Sequence, residues 1–355
     1  MMRPASTDLA AMFRRLIAST GPISVAHYMA EANARYYNSA DPLGAGGDFI
    51  TAPEISQMFG ELIGLWLADM WINAGRVEPV HYVELGPGRG TLARDAIRAA
   101  TRYGLEARVH FVETSVTLKD IQLATVPGAI WHKDLSTIPA ESPILLVANE
   151  FLDALPMRQL VMTEQGWRER LVGLEGEGPD ARFTFVVGRQ PMDSAVPENR
   201  RQAEPGTIIE TSPAAATVMY EVAGRLAGQG GAALFIDYGH EAPRTGSTLQ
   251  AVRAHRKVDP FSTPGQADLT THVDFDAMAS IAQSRGARWI GTTTQGNWLR
   301  GLGIEARADA LSEFAPDHAE AIHSAKDRLI GDGQMGALFK VMGLAGKNWP
   351  GGVGF

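Results

Sequence analysis

The stretch Glu84-Leu-Gly86-Pro-Gly88-Arg-Gly90 constrains this chain more than any other part of it. It follows a short apolar run, 81–85, and precedes a helical pattern from Thr91 to about Tyr103. A strand that passes through glycines into a helix forms a turn whose backbone a ligand can approach, because no Cβ stands in the way. Helix N-termini favour anions, so phosphate is the first ligand to weigh. The dinucleotide fingerprint needs G-x-G-x-x-G. Here the third glycine comes one residue early and position 91 is Thr. A phosphate P-loop fails as well, since no Gly-Lys-Ser/Thr follows. The acid two residues before the first glycine suits a ligand with a cationic amino acid end. A tight strand-to-helix turn without a ligand remains the alternative.

The surroundings supply the rest of the architecture. Strands are expected at 108–113, 129–132 and 144–148, each separated by a helical pattern. Strands alternating with helices argue for right-handed crossovers and a mostly parallel sheet with helices on both faces. Upstream, residues 5–37 read as helical with a break at Pro22. Thr51 and Glu54 form a capping box with Pro53 in the first turn, predicting one helix of about six turns to near Gly75. Downstream, 160–163, 167–174 and 182–187 read as consecutive hairpins, and 189–205 as a mobile loop. The α/β pattern resumes with a helix at 213–227 and a strand at 232–237. A strand at 246–252, a loop through Pro264, a helix at 275–284, a strand at 287–291, helices between 297 and 329 and a strand at 337–342 complete it. The organisation expected is a helical region and cofactor lid (1–78), a Rossmann-like core (79–156), an inserted β-rich lobe (157–205) and the rest of the core with a substrate region (206–355).

Composition narrows the chemistry. Cysteine is absent from the 355 residues, which excludes disulfides, thiolate catalysis and iron–sulfur clusters. A net charge of -8 gives no global reason to bind nucleic acid or an anionic membrane. No segment approaches the ~20 apolar residues of a membrane helix. Nor do the nine histidines form an H-E-x-x-H or a tight ligand pair, so no metal is expected.

The acid-x-Gly-x-Gly-x-Gly spacing fits the turn of class I S-adenosyl-L-methionine methyltransferases. Glu113 closes the second strand, where a carboxylate can accept both ribose hydroxyls. Asp134 follows the third, where such folds hold the adenine amino group. Read singly, each is also what a solvated loop acid looks like; together they sit at successive strand ends, where open parallel sheets bind ligands. Longer blocks then recur in order: Gly47-Asp-Phe-Ile-Thr-Ala-Pro-Glu-Ile-Ser-Gln-Met-Phe-Gly-Glu-Leu, Val112-Glu-Thr-Ser, Ala148-Asn-Glu-Phe-Leu-Asp-Ala-Leu-Pro, Phe235-Ile-Asp-Tyr-Gly and Asp268-Leu-Thr-Thr-His-Val-Asp-Phe. Through them the chain, from about residue 20 to 342, resembles the MidA-like family, whose mitochondrial members are arginine methyltransferases that act as complex I assembly factors.

The resemblance implies a class I methyltransferase fold that uses S-adenosyl-L-methionine. It places Glu84, Gly86, Gly88, Gly90, Glu113, Thr114, Ser115, Asp134 and Asn149 at the cofactor, with Thr51 and Pro53 closing over it. It implies a protein substrate, a peripheral-arm complex I subunit for the mitochondrial members, with symmetric dimethylation of arginine. The expected location is cytoplasmic in a bacterium, against the mitochondrial matrix for eukaryotic relatives, and a homodimer stays open. Carboxylates hold a planar guanidinium bidentately and localise a lone pair on the attacking nitrogen. Glu150 and Asp153 lie three residues apart after the fourth strand and are the candidate catalytic acids, a cap on the next turn being the other reading of Asp153. His272, with Asp274, is a candidate opposite wall or proton acceptor, or else a structural histidine. Phe49 and Phe59 fit core packing or cofactor stacking. A non-catalytic cofactor-binding assembly factor, a small-molecule methyltransferase and, more remotely, an NAD oxidoreductase are the competing readings.

Overall fold

A computed structural model describes residues 8–39 and 50–355. The chain divides into two compact units, each assembled from three separated stretches. One takes 43–153, 216–242 and 272–355; the other takes 1–42, 154–215 and 243–271.

The first unit is built on a sheet with strands in the order Arg288–Thr294, Phe339–Ala345, Gly231–His240, Ile144–Asn149, His81–Leu85, Arg108–Val112, Ile130–His132. The last five run parallel to one another, while Phe339–Ala345 pairs antiparallel on both sides. This is the class I methyltransferase arrangement. Ile144–Asn149 and His81–Leu85 are buried along their whole length, as strands covered on both faces must be. Thr91–Thr101 and Val116–Thr125 are crossover helices of the parallel half.

The helix Gln57–Asn73 buries twelve of its seventeen residues, Phe59 among them, so Phe59 is core. It lies hard against Thr91–Thr101. A Cβ added to Gly64 would stand 2.1 Å from the Ala96 carbonyl oxygen. The single helix expected from Thr51 is two. Ala52–Ile55 makes one turn, Ser56 is extended, and its hydroxyl accepts the Met58 N–H at 3.2 Å to start the second. Thr51 makes no side-chain cap bond, and Glu54 accepts the Thr91 hydroxyl at 2.5 Å instead. The expected capping box is therefore absent: Glu54 serves a neighbouring helix, and Ser56 offers a second cap. Phe49 lies outside the described residues.

Three histidines cross one face of the parallel strands. His81 Nδ1 meets His110 Nε2 at 2.9 Å, His110 Nδ1 meets His132 Nε2 at 2.9 Å, and His132 Nδ1 meets the Thr137 hydroxyl at 2.7 Å. Burial holds all three below the ordinary imidazole range. His110, flanked by the other two and by Arg108, is pushed down to about 4.

In the second unit the hairpins form as expected: Arg158–Thr163, Gly166–Glu175 and Arg182–Pro191 pair antiparallel, with Ile208–Thr211 and Ile23–Ser24 at the flanks. The helices Leu9–Thr20 and Val25–Ser39 bring Phe13, Ile17, Tyr28 and Met29 into its core. The segment 189–205 is not a featureless loop. It holds two 3-10 turns, and Val196 is buried with Leu160, Trp167 and Ile209. Between 246 and 270 there is a three-stranded sheet, Arg256–Val258, Gln250–Arg253, Asp268–Thr270, rather than one strand and a loop. Its tight hairpin turns on Ala254 and His255 with φ of 48° and 59°. Such turns are normally signalled by Asn-Gly or Asp-Gly, and neither stands at this turn.

Candidate active site

The predicted residues gather at the carboxyl ends of the parallel strands. Glu84, one residue from the end of His81–Leu85, is 2% exposed and accepts the Tyr82 hydroxyl at 2.7 Å. Burial raises its carboxyl to about 8, against the lowering effect of that hydrogen bond. The chain then turns through Gly86, Gly88 and Gly90 with φ of 61°, 53° and 80°, a conformation other residues rarely adopt. Gly90 is the N-cap of the next helix. A Cβ on Gly86 would come 2.9 Å from the Phe151 ring, which ties the glycine turn to the segment carrying Glu150.

At the next strand, Glu113 Oε1 accepts the N–H groups of Thr114 and Ser115, both at 2.7 Å. Burial raises this carboxyl, and these bonds partly offset it. Ser115 caps the following helix through Leu118 N–H. Fully buried Gln122 donates to the Gly88 carbonyl at 2.8 Å and to Glu113 Oε2 at 3.3 Å, and accepts Trp131 Nε1 at 2.8 Å. It links the glycine turn to the second strand end, a role that its place among apolar helix residues concealed. Asp134 is exposed and caps a 3-10 turn by accepting the Ser136 N–H and hydroxyl, which lower its carboxyl.

Asn149 ends the fourth strand and Glu150 leaves it with φ 52°, a left-handed conformation uncommon for a side-chain-bearing residue. Glu150 N–H closes the ladder on the Ile236 carbonyl at 2.8 Å. Its Oε1 accepts Asn149 Nδ2 at 3.0 Å and the Ala52 N–H at 3.1 Å. The Thr51–Pro53 turn, predicted to border the site, is thereby fastened to the candidate acid. Asn149 Oδ1 is buried and has no hydrogen-bond partner among the described residues.

Asp237, on the neighbouring strand, was not among the expected site residues. It is 1% exposed; Oδ2 accepts the N–H groups of Phe151, Leu152 and Asp153 at 3.1, 2.8 and 3.2 Å, and Oδ1 accepts the Tyr238 N–H at 2.9 Å. Burial and, less strongly, the charge of Glu150 push its carboxyl up to about 8, while the N–H groups pull the other way. Asp153 is itself 4% exposed. Burial, and after it the charges of Glu150, Asp153 and Asp237, raise the Tyr238 phenol. His272 lies beside this cluster, its ring 6.4 Å from the Tyr238 ring and nearly parallel to it. Asp274 instead caps the helix Phe275–Ser284 through the Ala277 N–H. Glu150, Asp153, Asp237 and the Tyr238–His272 ring pair thus lie close together at the ends of two adjoining strands. Among the described residues no group of three or more acids and histidines is placed to hold a metal ion.

Residues 62–293 match a family described as S-adenosyl-L-methionine-dependent methyltransferases. The Xenopus tropicalis protein named protein arginine methyltransferase NDUFAF7, mitochondrial, is 37% identical over 94% of this chain and 86% of the relative. The Drosophila melanogaster homolog of that name is 37% identical over 95% and 84%, and the human protein 34% identical over 96% and 85%. A candidate methyl transferase from Burkholderia thailandensis, solved with S-adenosyl-homocysteine bound, superimposes with a TM-score of 0.84. It is 28% identical, and the match covers 99% of this chain and 97% of that one.

Proposed function

This chain belongs to that family of S-adenosyl-L-methionine-dependent methyltransferases, and on that premise we propose that it methylates an arginine side chain of a protein. The cofactor when bound supplies a methyl group on a positively charged sulfur. The residues present fit it: a turn with three left-handed glycines, a buried acid at Glu84, and Asn149 Oδ1, a buried acceptor without a hydrogen-bond partner among the described residues. In this reading Glu84, Gly86, Gly88, Gly90 and Asn149 hold the amino acid end. Glu113, Thr114 and Ser115 hold the ribose, Asp134 the adenine, and Thr51 with Pro53 covers the site.

One observation carries the choice of acceptor: two carboxyls, at 150 and 153, follow a strand end beside the cofactor turn, on a loop held by a third at 237 on the adjoining strand. A guanidinium is the protein group that such a pair would hold in a fixed plane. Glu150 and Asp153 orient it and concentrate electron density on the attacking nitrogen; His272 takes up the released proton. Following the family resemblance, the proposed acceptor is a peripheral-arm subunit of complex I, dimethylated symmetrically in the bacterial cytoplasm to aid assembly.

Glu150→Gln is expected to abolish turnover while S-adenosyl-L-methionine affinity, measured by calorimetry, stays within several-fold. Unchanged turnover removes Glu150 from the mechanism. Mass spectrometry of complex I from a deletion strain tests the substrate: the assignment fails if every methylated arginine of the parent strain is still methylated.

A further inference from the structure

We infer that Asp237 is the positioning residue of this site: it sets the conformation of the 150–153 loop that presents the two acids, without touching the acceptor itself. The inference rests on the reading of that loop as the guanidinium-binding element.

Sheet geometry explains why a carboxylate is needed at 237. The ladder between the fourth strand and its neighbour ends when Glu150 N–H reaches the Ile236 carbonyl. From Glu150 onward the chain leaves the sheet with a left-handed turn, so the next three N–H groups have no strand partner. Buried N–H groups must find an acceptor somewhere. Asp237, the next residue after Ile236, collects all three on one oxygen and fixes its own strand with the other. Three successive N–H groups converging on one point form a backbone nest. Because Asp237 is 1% exposed, it presents almost no surface to a substrate. Its effect passes through the backbone: the path of residues 151–153, held to one oxygen, decides where the Glu150 and Asp153 side chains begin. Misplacement of reacting groups by about 1 Å can cost on the order of a hundredfold in rate.

The test uses Asp237→Asn and Asp237→Ala in the full chain, each checked by circular dichroism and thermal melting. Asparagine is nearly isosteric and keeps one oxygen for the three loop N–H groups, but turns its NH2 toward the Tyr238 N–H. Expected are a fall in kcat of about tenfold for Asn and at least a hundredfold for Ala. KM for complex I purified from the deletion strain, and calorimetric affinity for S-adenosyl-homocysteine, should stay within threefold. Hydrogen exchange should quicken at the amides of 151–153 in the Ala variant, and at 238 alone in the Asn variant. Wild-type kcat in both variants, or a loss that falls on cofactor affinity instead, overturns the proposal. If Ala does not fold, Asn alone decides it: wild-type rate with the 238 amide still protected is the failing result. Glu150→Gln, run alongside, separates the two claims. Full activity in that variant defeats the role of the loop in chemistry, while the exchange pattern still reports whether Asp237 holds it.

Discussion

Glu84 is a carboxyl that burial keeps protonated up to about 8 in the absence of a cation. If it faces the amino group of the cofactor, binding lowers its pKa and expels its proton. Affinity for S-adenosyl-L-methionine should then climb with pH through the neutral range and level off above about 8. Titration calorimetry in buffers of different ionisation enthalpy should show proton release, and Glu84→Gln should abolish both the release and the slope. A flat affinity profile in the wild type would place the cation elsewhere. The sign for stability is opposite. A carboxyl raised from 4.5 to about 8 on folding favours the native state at low pH and loses that contribution as pH rises across this interval. Glu84, Glu113 and Glu150 were legible because each sits at a fixed offset from a strand end or a glycine. Asp237 and Gln122 were not, since what they do depends on which strand or turn lies beside them. Asp237 had a trace in the Phe-Ile-Asp-Tyr-Gly block, but its partners at 151–153 are set by cross-strand register.

At the scale of elements, the contact of Gln57–Asn73 with Thr91–Thr101 allows no extra atom at Gly64. A methyl group there would meet backbone rather than a yielding side chain. Gly64→Ala should cost about 1–3 kcal/mol of overpacking, despite the better helix propensity of alanine. A lowered urea midpoint with an unchanged slope would register it; a stabilised variant would contradict the packing. Periodicity located most helices and strands because their apolar faces are regular. It failed where the deciding signal was duplicated or missing. Thr51 with Glu54 read as a capping box, and the apolar pattern alone could not show that the long helix starts instead at Ser56. The Ala254-His255 turn carries no glycine, and the strands around it are short.

For the molecule as a whole, the histidine row is the clearest acid-sensitive element. Imidazoles held below 6.5 in the fold bind fewer protons than they do in the unfolded chain. Their stabilising contribution is present above about 6.5 and is lost as pH falls toward about 4. Urea midpoints should drop across that window, and His110→Gln should flatten the drop; an unchanged pH slope would show that these rings do not govern acid stability. The α/β class and the hairpins were visible in the chain. How the stretches combine was not, because both units draw on three separated segments. That division bears on synthesis. Gly231–His240 accepts Phe339–Ala345 as its second neighbour, and Arg288–Thr294 joins the sheet only through that strand. While a ribosome is still making the intervening residues, the nascent chain carries a long apolar strand with one side bare. Unpaired strand edges of this kind invite aggregation, and chaperones shield them. The sheet that bears the acids can close only after nearly the whole chain has emerged, so slow elongation in the last third prolongs its most vulnerable state.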